Sequence, residues 1–211
     1  PGYGKTTYAK RIALAYATKD EVALRDFWPG NLFPILLYCR SLDDYVISEN
    51  DSFASIALKM AMKQFDSISD EDEAFKTMLD SHAALGDMLL IIDGYDELFS
   101  RDNQKMFSKL LLEYLIANEN VHLILTSRLV SFVKDGLAER ESINYILSVP
   151  GIKCAEIKPL DEESREEFVK KWHLALFPYD PEKKKTADRI IAQLKLPAFA
   201  YLRTMTSVPL H

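Results

Sequence analysis

Apolar positions along this chain follow two alternating rhythms. Three short unbroken runs, Leu32-Phe-Pro-Ile-Leu-Leu-Tyr-Cys39, Met88-Leu-Leu-Ile-Ile92 and Val121-His-Leu-Ile-Leu125, read as strands buried on both faces. Pro34 predicts that the first of them begins after the proline. Between the runs the apolar spacing is helical: Tyr8 to Ala17, Ser52 to Phe65 (Phe53, Ile56, Ala57, Met60, Phe65) with Ser52 as N-cap, Glu73 to Ser81, and Asp102 to Asn118 (Met106, Phe107, Leu110, Leu111, Tyr114, Leu115). Trp28 to Asn31 and the acidic stretch Asp66 to Asp72 read as loops, and Ile152 to Ile157 reads as one more short strand. Strands alternating with helices predict an α/β fold with a mostly parallel sheet flanked by helices. After Lys158-Pro159 the pattern turns all-helical. Asp161 caps a helix to about His173, Pro181 starts another to about Leu196, and Pro197 starts a third toward Met205. The expected division is a core over 1–157 and a small helical domain over 158–211. The lysines at 183–185 read as a solvated helix face.

Chemistry gathers at the ends of these elements. Pro1-Gly-Tyr-Gly-Lys-Thr-Thr7 opens the first helix and has the form of the back end of a P-loop, whose first glycine would fall ahead of Pro1, so the chain is expected to start inside the motif. Gly2 and Gly4 let the backbone curl its N–H groups inward, Lys5 reaches toward the β- and γ-phosphates, Thr6 sets a hydroxyl on Mg²⁺, and Thr7 completes the phosphate-binding set. The helix N-terminus adds positive potential to the same anion. The second strand runs into Asp93-Gly-Tyr-Asp-Glu97. Acidic residues at the carboxyl end of a central parallel strand lie where ligands bind in open α/β sheets. Asp93 is the expected Mg²⁺-shell carboxylate, and Asp96 and Glu97 the acidic pair for an attacking water. The third strand closes on Thr126-Ser-Arg128, which brings a guanidinium to the same edge.

Composition narrows the partners. The 211 residues are 48% hydrophobic and 27% charged, with a net charge of −6, which argues against a broad nucleic-acid face. Cys39 and Cys154 lie in apolar runs and are expected to be reduced core residues of a cytoplasmic protein. No run reaches the ~18 apolar residues of a membrane span.

Taken together, Pro1–Thr7, Leu89–Leu98 and Leu123–Arg128 resemble the NACHT group of STAND ATPases, the nucleotide-binding modules of NOD-like receptors and their bacterial relatives. The most specific piece is Asp93-Gly-Tyr-Asp-Glu97, since NACHT modules carry Asp, a small residue, any residue, then two acidic ones. The resemblance implies an AAA+/STAND-like P-loop fold with a helical lid, slow ATP hydrolysis, and ATP/ADP with Mg²⁺ at the site. Lys5 and Thr6 would hold phosphate and Mg²⁺, Asp93 would be the Walker B aspartate, Asp96 and Glu97 the hydrolytic pair, and Arg128 the sensor of the γ-phosphate. Pro209, in Val208-Pro-Leu210, would be the lid proline near the adenine, although Val208 stands where relatives often have Asn. It further implies a switch in which ADP/ATP exchange, helped by a protein trigger, governs homo-oligomerisation and effector activation. The compact spacing between motifs fits a prokaryotic member, and for such a member the resemblance implies a role in antiphage defence. A STAND regulator of transcription or signalling without an immune role, a small-molecule P-loop kinase, and a binding module without turnover are the competing readings. No membrane partner and no nucleic acid are evident from this segment.

Overall fold

A computed structural model describes residues 4–25, 27, 30–42, 44–65, 73–98, 100–128, 151–178 and 181–199. Residues 5–155 form one compact unit, and Glu156 onward belong to a second.

The first unit is a parallel sheet between helices. Strands β1 (Phe33–Tyr38), β2 (Met88–Asp93) and β3 (His122–Leu125) are hydrogen-bonded in that order, with Tyr38 opposite Asp93 and Ile92 opposite Leu125. Every residue of β2 is buried, as its unbroken apolar run requires. Strand pleating sends alternate side chains to opposite faces. Ile35 and Leu37 of β1 and Met88, Leu90 and Ile92 of β2 pack on one side with α2 (Phe53–Gln64), α3 (Glu73–Leu85) and α4 (Arg101–Ala117). Leu89 and Ile91 point the other way, against Ala9, Ile12 and Tyr16 of α1 (Lys5–Thr18).

Local sequence sets the helix starts. Ser52 accepts the Ser55 N–H and Ser55 returns the bond in a capping box at α2, while Ser100 caps α4 by accepting the Asn103 N–H at 3.0 Å. Asn103 is buried and ties the loop after β1 to α4: its Oδ1 accepts the Ile47 N–H at 3.0 Å and its Nδ2 donates to the Tyr45 carbonyl at 2.7 Å.

Three expectations are corrected. β1 starts at Phe33 and includes Pro34: the Phe33 N–H donates across to Asp87 O at 2.6 Å, so strand alternation puts position 34 on the outer edge, where no donor is needed. Residues 152–157 form no strand; their alternation suits one, but no strand among the described residues pairs with them. Cys154 is accordingly exposed, whereas Cys39 is buried, and both thiols are free.

In the second unit, Asp161 caps α5 (Glu162–Leu176) by accepting the Ser164 N–H at 2.8 Å, and α6 (Pro181–Lys195) packs Ala187, Ile191 and Leu194 inward. Lys195 bridges back to Glu162 and Glu166 of α5. A 3₁₀ turn, Pro197–Phe199, follows; the rest of the expected third helix lies outside the described residues.

Candidate functional site

Three chain segments meet at the carboxyl end of the sheet. Asp93 ends β2, is 5% exposed, and has a hydroxyl on each carboxylate oxygen. Thr6, in the first turn of α1, donates to Oδ2 at 2.6 Å, and Thr126, just past β3, donates to Oδ1 at 2.6 Å. A buried carboxylate is costly without such partners. Thr126 also accepts the Gly94 N–H at 3.0 Å through its hydroxyl and the Tyr95 N–H at 2.9 Å through its carbonyl, and its own N–H donates to Ile92 O at 2.9 Å. The acidic turn is thereby laced to the end of β3.

Around Thr6, Lys5 begins α1 half-buried and Thr7 is exposed on the first turn, where helical N–H groups have no intrahelical acceptor. Gly4 has φ 82°, a left-handed conformation natural to glycine. Gly2 and Pro209 lie outside the described residues. The donor set at Asp93 and Thr6 is one carboxylate and one hydroxyl. Both are hard oxygens, and Mg²⁺ at phosphate sites takes one or two carboxylates plus substrate phosphates and water, so these residues fit that ion.

Beyond Asp93 the chain turns through Gly94, at φ 80°, into a 3₁₀ turn over Tyr95–Glu97. Tyr95 is buried beside Phe107, and its hydroxyl is 2.7 Å from Ser108 Oγ on α4. Glu97 is exposed as a residue, but its carboxyl folds back over Gly94: a Cβ on Gly94 would sit 2.8 Å from Glu97 Oε2. Loss of water there, with Asp96 and Asp93 adding like charge, raises the Glu97 pKa above the ordinary carboxylate value, and Arg40 and Arg128 pull it partly back. The same acidic cluster reaches Cys39, whose thiol is pushed well up by burial first and by Asp93 next. Such a thiol is not a nucleophile.

Asp96 faces Arg128. Its Oδ1 accepts the Arg128 N–H at 2.8 Å and its Oδ2 meets Arg128 Nε at 3.0 Å. Thr6, Asp93, Asp96, Glu97 and Arg128 are therefore drawn to one edge. The sequence places Thr126 at this edge, but only as part of a polar strand end, without its bonds to Asp93 and the acidic turn. Two contributors escape sequence reading: Tyr95, whose neighbour Ser108 lies on another element, and Arg40, whose guanidinium lies 5.0 Å from the Tyr38 ring centre, with Lys10 of α1 at 5.8 Å.

A family model described as NACHT domain matches residues 1–175. No curated protein and no solved structure matches the chain.

Proposed function

The chain belongs to the NACHT family of P-loop NTPases, and from that premise we propose that it is an ATP-binding, slowly hydrolysing switch whose ADP/ATP exchange controls homo-oligomerisation and the activation of an effector. The supporting observation is the meeting of Thr6 with Asp93 at 2.6 Å, at the N-terminus of a helix and the carboxyl end of the central strand. A triphosphate against α1 would meet helix N–H groups and the Lys5 ammonium. Mg²⁺, held by Thr6 and Asp93, would neutralise charge developing between the β- and γ-phosphates. The acidic pair Asp96 and Glu97 would offer a carboxylate to orient or deprotonate water, Arg128 would read the third phosphate, and Gly2, Gly4, Thr7 and Pro209 would complete the nucleotide contacts. A switch needs the third phosphate to favour one arrangement of core and lid over the other. Innate immune defence, against phage in a prokaryotic host, is the setting that the family favours. Two free thiols suit the cytoplasm, and among the described residues no helix is long and apolar enough to cross a membrane.

The test is the nucleotide content of the intact protein as purified, read by denaturation and chromatography beside Lys5→Ala. Bound ADP or ATP in the wild type, lost from the variant, is expected. A wild type that is empty and does not take up added ATP with Mg²⁺ contradicts the proposal.

A further inference from the structure

The acidic pair after β2 divides into two different environments. Glu97 turns its carboxyl over Gly94 and stays exposed as a residue. The Asp96 side chain is only 9% exposed, and both of its oxygens are directed at a single residue, Arg128, through the backbone N–H at 2.8 Å and Nε at 3.0 Å. A general base must aim a lone pair at its water, within about 3 Å. Each Asp96 oxygen is already committed to a bond with Arg128 and the side chain is nearly buried, so little of its carboxylate is open to a water.

We propose that Asp96 is a positioning residue for Arg128, holding its main chain and guanidinium in one orientation so that the arginine can read a nucleotide's third phosphate, and that Glu97 alone faces the attacking water. The inference rests on the nucleotide-switch reading above. Its geometry is specific. The side chain of Arg128 is 53% exposed even while Nε is engaged. Guanidinium is a rigid planar fork, so fixing Nε fixes the direction of the terminal amino groups, which a flexible ammonium could not reproduce. The grip is itself held in register. Thr126 takes the Gly94 and Tyr95 N–H groups, so the turn carrying Asp96 and the segment carrying Arg128 cannot slide past one another without breaking those bonds. Charge-assisted bonds of this kind are about twice as strong as neutral ones.

The experiment compares Mg²⁺ complexes of fluorescent ADP and of a non-hydrolysable fluorescent ATP analogue on the intact protein, for the wild type, Asp96→Asn, Arg128→Ala, the double variant, Arg128→Lys and Glu97→Gln. Asp96→Asn and Arg128→Ala should each shift the affinity ratio toward ADP by roughly tenfold or more, consistent with losing one charge-assisted bond. The double variant should go no further than Arg128→Ala alone. Arg128→Lys should behave as Arg128→Ala, because lysine keeps the charge and lacks Nε; this arm holds even if Asp96→Asn does not fold. Glu97→Gln should stop hydrolysis and leave the ratio in place. An unchanged ratio in Asp96→Asn with hydrolysis lost, or an unchanged ratio in Arg128→Lys, overturns the proposal. A wild type that binds neither nucleotide removes the underlying reading instead.

Discussion

Gly94 shows how closely single positions are constrained at this edge. Its φ of 80° lies where a residue with a Cβ is strained, and that Cβ would press on Glu97 Oε2 at 2.8 Å. The left-handed conformation alone costs about 1–2 kcal/mol for a non-glycine residue, whereas the contact can be relieved by swinging the flexible Glu97 side chain away. Gly94→Ala should therefore lower stability by about that amount, and should reduce ATP hydrolysis more than nucleotide affinity, since Glu97 moves while Thr6 and Asp93 stay. Thermal melts with binding and turnover assays check both; equal losses in affinity and turnover would contradict it. At this scale the sequence was most informative where chemistry is local. Asp93, Asp96 and Glu97 lie within one short stretch, and a buried strand running into carboxylates can be read directly. Thr126 could not be ranked above Ser127, because its distinction is a pair of bonds to residues more than thirty positions away. Cys154 fails for the converse reason: its apolar neighbours suggested burial that no pairing strand among the described residues provides.

Among elements, α4 does more than cover the sheet. It carries Ser108, which meets the Tyr95 hydroxyl at 2.7 Å inside the core, and Gln104, whose Nε2 donates to Leu98 O at 2.9 Å, so the helix grips both ends of the acidic turn. Tyr95→Phe and Ser108→Ala should each cost about 1 kcal/mol, with the double variant losing clearly less than the sum. Denaturant titration measures this, and strict additivity would show that the hydroxyls are not coupled. The amphipathic helices were legible in sequence because burial of one face imposes a 3.6-residue period. The capping serine of α2, Ser52, was legible too, whereas the pattern did not single out Ser100 at α4. Strand limits were less so. Pro34 argues for a late start only if its missing N–H faces a partner, and that depends on which side of β1 the partner lies.

For the molecule as a whole, the sheet order places β2 between β1 and β3, and this alone sets Asp93 between Tyr38 on one side and Thr126 on the other. Parallel strands end at a common edge, so the ends of β2 and β3 and the first turn of α1 converge although they are far apart in sequence. That convergence is what the order of motifs along the chain suggested and what the alternation of strand and helix made possible. The proposed switch depends on one chemical event at this edge, loss of the third phosphate to water faced by Glu97. Single-turnover conversion of bound ATP to ADP by the intact protein, compared with Glu97→Gln at equal nucleotide occupancy, tests it most directly. The expected result is slow conversion in the wild type and ATP held unconverted in the variant; conversion at the same rate in both would contradict the account.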